Sequence, residues 1–430
     1  MTTETTDSAE TTINSSTAQL LALAQDALRQ RHSADAAAYC QRLLAIDELS
    51  GTEIDTAYTL YIQALDDILQ YDEAMRQAEW WAATTQSKSG SIDALIAKGR
   101  ILRRKGDIDT AMRFLDDAVA QATTIRYSTA IASANRFRAD IMLTRGDADR
   151  ALALTRQSLR IYEEAQNIVG QIETLILLQI IYSVMGQFYR AIQAGLRGDK
   201  LCDLTDNQSA RYLIYNNLGE SYQCLYATDR ALFYHRQAQV LSISPHPDLI
   251  RNLGADLVAN GQFEEGLGLL YAALVSARES QDHDTTLQAL YSLADGLLIA
   301  DQVSESRVLG QELLDQARSL NAARYITRAT LILGHCARRE GDPVAAQDYL
   351  QESFIAAEKT NDKTMIWQTH AALADILGTS HPARASVHAM LVKDILGGIA
   401  LSIEDQALRG TFRAAAPVAR WLRPGEYEDN

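Results

Sequence analysis

One short pattern recurs along the chain and constrains its fold more than any other feature. A turn residue, often glycine, is followed by a polar residue, three variable positions and a small residue. It reads GDIDTA at 106–111, GDADRA at 146–151, GQFYRA at 186–191, GQFEEG at 261–266 and GDPVAA at 341–346. Weaker copies are LQYDEA, YATDRA, DQVSES and SHPARA, ending at Ala74, Ala231, Ser306 and Ala385, and the weakest copy ends at Ala37. The closing residues are 35 to 40 positions apart throughout. A fixed period of this length is the mark of a stacked repeat, in which one body grows by adding units.

The residue types explain the turn. Glycine just past a helix end takes the left-handed conformation without steric cost. Asp or Gln beside it is placed to cap the next helix, and the small residue lets two helices approach closely. A second small residue stands twelve positions earlier in several units: Gly99, Ala139, Gly219, Gly254, Ala294 and Gly334. The pattern predicts antiparallel helix pairs. The prolines at 245, 247, 343, 382, 417 and 424 fall at predicted turns or helix starts, and no stretch alternates with the period of a strand. The expected organisation is a disordered polar tail at 1–16, about ten repeats over 17–402, capping helices at 403–423 and an acidic tail at 424–430.

Charge narrows the function. With 40 Lys and Arg against 55 Asp and Glu, the net charge is −15, which argues against broad binding to nucleic acid or anionic membranes. Cys40, Cys202, Cys224 and Cys336 are far apart and fit a reducing cytoplasm. The N-terminal residues lack the apolar core of a signal peptide. The apolar run Ile172 to Met185 contains Gln179 and is shorter than the roughly 20 residues that span a bilayer, so a buried helix is expected there.

The unit YNNLGESYQCLYATDRALFYHRQAQ resembles a tetratricopeptide repeat, with Leu218, Gly219, Tyr222, Ala231 and Ala238 at the family's signature positions. The period near 40 is similar to that of the MalT-like subgroup, found in bacterial regulators attached to signalling ATPases or cyclases, and residues 402–422 resemble the segment that closes such regions. The sequence departs from the signature at Ile62, Gln179, Gly195 and Gly310. The resemblance implies an all-α fold: a right-handed α-solenoid of about ten antiparallel helix pairs, a TPR-like superhelix.

Catalytic motifs are absent: there is no GxxxxGK[ST] loop, no dinucleotide-binding glycine fingerprint, no HExxH and no nucleophile elbow. Neither an enzyme nor a bound cofactor is expected. His370, His381 and His388 lack the clustered cysteines or carboxylates of a metal site, and Cys336 beside His335 reads as an ordinary buried thiol.

By the family resemblance, the second, fifth, ninth, twelfth and thirteenth positions of each unit line an inner groove. Arg100, Arg103 and Arg104 fall there in unit three, and Arg136 and Asp140 in unit four. Unit six offers Asn216, Glu220 and Gln223, unit seven Arg251 with Asn252 beside it, and unit nine His335, Arg338 and Arg339. Residues 91–161 hold 13 Lys and Arg against 8 Asp and Glu, a basic island on an acidic chain. Arginine binds carboxylates through paired hydrogen bonds, so these positions suit an acidic peptide; arginines at a helix end also complement its dipole without any ligand. Of the adjacent Trp80 and Trp81, only one can face the core. The expected function is a cytoplasmic scaffold or regulatory adaptor that binds a protein or peptide. A sensor for a peptide or small ligand in a bacterial signalling or transcription-regulation system is the alternative.

Overall fold

The computed structural model describes residues 5–242, 246–279, 282–360 and 362–422, with side chains from residue 17 onward. Among the described residues there are 22 helices and no strand. Twenty form ten successive pairs: α1 (Thr5–Arg29) with α2 (Ser33–Leu44), α3 (Gly51–Asp67) with α4 (Tyr71–Thr84), α5 (Lys88–Arg104) with α6 (Ile108–Ile125), and α7 (Ser128–Thr144) with α8 (Ala148–Glu164). Next come α9 (Ile168–Val184) with α10 (Phe188–Cys202), α11 (Gln208–Cys224) with α12 (Thr228–Val240), and α13 (Pro247–Ala259) with α14 (Phe263–Glu279). The last pairs are α15 (His283–Ile299) with α16 (Val303–Ser319), α17 (Ala323–Arg339) with α18 (Pro343–Ala357), and α19 (Lys363–Leu377) with α20 (Pro382–Ser402). Two short helices follow, α21 (Gln406–Ala414) and α22 (Ala416–Ala419). The chain is an all-α helical-repeat solenoid.

The repeated turn works as its residues dictate. Gly106, Gly146, Gly186, Gly261 and Gly341 all have φ between 70° and 85°. At Gly106 the amide donates to the Arg103 carbonyl at 3.1 Å, and Asp107 N–H donates to the Leu102 carbonyl at 3.0 Å, a Schellman closure of the first helix. The weaker copies make the same turn with residues that resist it: Leu69, Tyr226 and Asp301 have φ of 62°, 56° and 63°. Aspartate caps the second helix at Asp107, Asp147 and Asp342, accepting from the backbone N–H of Thr110, Arg150 and Ala345. Gln70 and Gln302 occupy the same place without a side-chain cap, because the longer glutamine side chain does not hold its oxygen over the first turn.

Several expectations need adjusting. Helix α1 starts at Thr5, inside the stretch expected to be a disordered tail, and the acidic tail at 424–430 lies outside the described residues, as does Pro245. The first unit closes on Ala36 rather than Ala37: the α2 N-cap is His32, and Ala36 N–H donates to its carbonyl as Ala111 does to that of Asp107. The run expected to be a buried helix is one, with Ile172, Leu175, Leu178 and Ile181 of α9 buried, while α20 is the one described helix long and apolar enough to cross a membrane by composition. Its Ala385, Val392, Leu396, Ile399 and Ala400 are buried.

Two compact units divide the chain, the first comprising residues 1–178 and 197–211, the second 179–196 and 212–430. Each has its own core. In the first, Trp81 is buried and stacks on Tyr58, while its neighbour Trp80 is 61% exposed. The Trp81 Nε1–H donates to Asp55 at 2.6 Å. In the second, leucines of α14, α15 and α16 form the main cluster, including Leu270, Leu290, Leu293, Leu297 and Leu313.

The departures at Ile62, Gln179 and Gly195 turn out to be reciprocal. Gly99 on α5 and Gly334 on α17 have no room for a Cβ because Leu115 and Leu350 fill it. In the fifth pair the sizes are exchanged: Gln179 stands at the small position and Gly195 opposite it. In the second pair Ile62 stands at the small position and Ala78 at the opposite one, both fully buried. In the eighth pair both positions are small, Ala294 and Gly310, and Ile332 and Leu333 of α17 lie nearest the space a Cβ on Gly310 would take.

Candidate functional site

Within each unit the first helices of successive pairs approach one another, α3 with α5, α5 with α7, α13 with α15 and α15 with α17, more closely than the second helices do. Curvature therefore puts the first helices on the inner side, and it is their polar residues that a groove would present.

In the first unit this face carries a ladder of ion pairs. Asp66 on α3 is 5% exposed and faces the Nε of Arg100 at 3.4 Å and of Arg104 at 3.7 Å. One step along, Arg103 meets Asp140 at 2.8 Å, and Arg136 meets Glu173 at 3.0 Å. Arg136 also lies over the Phe137 ring at 4.3 Å. The five residues expected here are brought together, but each arginine already has a carboxylate from a neighbouring first helix. Asp66 and Glu173 were not anticipated, although they occupy the twelfth position of unit two and the second of unit five. Burial, opposed in part by Asp140, holds the Arg103 guanidinium below its ordinary range.

In the second unit Asn216, Glu220, Gln223 and Arg251 also converge. The Asn252 amide donates to Asn216 Oδ1 at 3.0 Å and to Glu220 at 2.9 Å, and Arg251 reaches Glu220 at 3.6 Å. Gln223 donates to Asp256 at 2.6 Å. Asp256 and His235, both with no exposed surface, pair through Nδ1, and Nε2 of the same ring faces the Asn216 carbonyl at 3.2 Å. His235 takes the space a Cβ on Gly219 would need. The network therefore ties α11, α12 and α13 into one block. Sequence reading missed His235 because it lies on a second helix, outside the five inner positions.

At the end of α17, Arg338 meets Asp375 at 3.2 Å, and the same carboxylate receives Arg420 at 2.9 Å. Arg339 turns away to Asp301 and to the Leu298 carbonyl. His335 stands beside Arg338, and burial with these guanidinium groups lowers its pKa to about 4. His370 and His388 face each other through Nδ1 atoms 2.7 Å apart, next to Phe354. Among the described residues no group of three or more metal-ligating side chains occurs. All four thiols lie above their ordinary pKa because of burial, Cys40 and Cys224 at about 12.

The inner face of the second unit is also walled in. The Tyr226 ring, in the turn after α11, lies 6.3 Å from that of Phe412 on α21, and Gln368 on α19 hydrogen-bonds its hydroxyl. At the α9–α10 turn, a Cβ on Gly186 would come within 3.3 Å of Lys363. First and last repeats of this unit thus meet across its inner side. Between them lie Tyr291 and Asp295 on α15 and Arg324 and Arg328 on α17. The five-position rule itself returns three of these: Arg328 is the second position of unit nine, and Tyr291 and Asp295 are the fifth and ninth of unit eight.

Solved structures share this arrangement of helices. A Rap protein complexed with Competence and Sporulation Factor superposes with a TM-score of 0.59 at 14% identity, over 81% of this chain and 99% of that one. The Rap conjugation gene regulator of the plasmid pLS20, in complex with the Phr* peptide, gives 0.51 at 15% identity over 85% and 98%. The apo form of RapI gives 0.52 at 12% identity over 80% and 98%. The fold is that of a tetratricopeptide-type repeat. No protein-family model matches the chain, and no curated protein does.

Proposed function

We propose that this protein is a regulatory adaptor that binds a short peptide on the inner face of its repeats, without catalysing a reaction. The observation that carries the reading is the second unit's inner wall, where amides and charged groups of Asn216, Glu220, Gln223, Arg251 and Asn252 are gathered on adjacent first helices. Side-chain amides suit the alternating donors and acceptors of an extended backbone, and a segment that orders on binding suits a groove of this kind. Two structures of similar fold hold a signalling factor or a peptide, which supports the same use here. The four raised thiols are consistent with work in a reducing cytoplasm, and the net charge of −15 with a partner other than nucleic acid or membrane lipid. The period near 40 supports placement beside MalT-like regulators, and in this reading the bound peptide alters the grip on a second protein.

The test is purification of the full chain from its native cell, mass spectrometry of what it carries, and calorimetry with synthetic copies of any peptide found. Micromolar binding lost on Glu220→Gln, at the exposed carboxylate of that wall, would support the reading. Binding of folded proteins only, unchanged by that substitution, would sink it.

A further inference from the structure

Arg328 shares a buried, unpartnered Nε with Arg100, Arg103 and Arg136 of the first unit, but unlike them it has no carboxylate within ion-pairing distance among the described residues. Its guanidinium lies over the Tyr291 ring at 4.5 Å and near that of Tyr325 at 5.6 Å. Its buried Nε has no hydrogen-bond acceptor, and no carboxylate lies within ion-pairing distance, among the described residues. Arg324 stands four residues earlier, one helical turn away, with Asp362 at 3.8 Å. Two guanidinium groups are thus held side by side, and Arg328 is the largest cause depressing the Arg324 pKa. Across the wall, burial raises Asp295 to about 6 against the opposing pull of Arg328, so near neutral pH it is a mostly ionised neighbour that stops short of ion-pairing distance. Tyr325 donates its hydroxyl to Asp284 at 2.7 Å, which occupies that acid.

We propose that Arg324 and Arg328 anchor a single carboxylate of the ligand, with Tyr291 as the stacking floor beneath Arg328. The assignment rests on the peptide-binding reading and deepens it, by naming the charged group the ligand must bring. A planar guanidinium fixed by stacking keeps its N–H fork free for a bidentate bond to a planar anion. One negative charge fits better than the two of a phosphate, because Asp362 and Asp295 already flank the pair. The carboxylate has two sources in a peptide, its C-terminus and an Asp or Glu side chain. The paired arginines of the first unit offer no such vacancy, since Arg100, Arg103 and Arg136 each meet a carboxylate within 3.4 Å.

The experiment uses the full chain, immobilised, and two pools of synthetic pentapeptides randomised at every position, one with free C-termini and one amidated. Retained peptides are quantified by mass spectrometry for the natural chain and for Arg328→Gln, Arg324→Gln and Arg278→Gln, the last an exposed pair on α14 and α16 as control. Retention is expected to fall at least ten-fold in Arg328→Gln and several-fold in Arg324→Gln, and to hold in Arg278→Gln. Arg324 is half exposed, so its variant folds even if the other does not. Loss of all retention from the amidated pool assigns the terminal carboxylate; retention there of Asp- or Glu-containing peptides assigns the side chain. Equal retention by the natural chain and both arginine variants overturns the anchor and leaves peptide binding standing. No retention by the natural chain overturns both.

Discussion

The side chain of Gln179 occupies the space that a Cβ on Gly195 would need, the reverse of the arrangement in which Leu115 fills the space beside Gly99. Gln179 is fully buried, its Nε2 donates to the Ile214 carbonyl at 3.4 Å and its Oε1 has no partner among the described residues. A methyl on Gly195 would also come within 2.8 Å of Leu218. Gly195→Ala should therefore destabilise by about 1–3 kcal/mol through overpacking, less the gain of about 0.5–1 kcal/mol from replacing a helical glycine. Adding Gln179→Ala should recover most of the loss. Urea midpoints of the two variants check this, and equal midpoints would show that the crossing tolerates both volumes.

The turn predicts opposite signs at two equivalent positions. Leu69 is 69% exposed with φ of 62°, so Leu69→Gly should stabilise by about 1 kcal/mol. Gly106→Ala, at φ of 85° with open space around it, should destabilise by about as much. Thermal unfolding of the pair distinguishes backbone strain from packing, because neither site has a packed neighbour to lose.

Charge reversal on the first unit's inner face should cost stability as well as any binding. Arg100→Glu would set a third carboxylate near Asp66 and Asp67, with Arg104, and more weakly Arg103, left to offset them. A loss of about 2–4 kcal/mol is expected, as when a mostly buried pair is broken from one side. Arg156→Glu on α8 serves as the comparison. Loss of the same size from both would mean that the ladder contributes nothing particular.

Acid should weaken the fold near its C-terminal repeats. Burial, then His388, lowers His370 to about 4, and burial lowers His388 as well. The unfolded chain takes up protons near the ordinary histidine value of about 6.5 that the folded chain refuses, so this stability is present at neutral pH and is lost as pH falls from there towards 4. Asp93 and Asp295, raised to about 6 by burial, act in the opposite sense. The comparison is therefore by variant: His370→Gln should lose less stability than the natural chain between pH 7.5 and 5. Identical losses would remove the histidine pair as the cause.

Sequence alone determined the helix pairs, their turns and their number, since the left-handed residue, the aspartate cap and the closing small residue all act within one six-residue stretch such as Gly106 to Ala111. Proximity along the chain makes such effects legible. The inner-face positions of Arg100, Arg136 and Asn216 followed from the family resemblance, but their partners did not. Asp66 and Arg100 are 34 residues apart in sequence, and only packing of successive first helices at one rotation puts them together. The reciprocal volumes of Gln179 and Gly195 likewise look like two faults when read singly, because at that crossing one side chain fills the space the other leaves. Tertiary structure alone decided that Arg328 would stack on Tyr291 while Arg100, Arg103 and Arg136 meet carboxylates: which charges find a neighbour depends on distances between helices, and no local rule contains those distances.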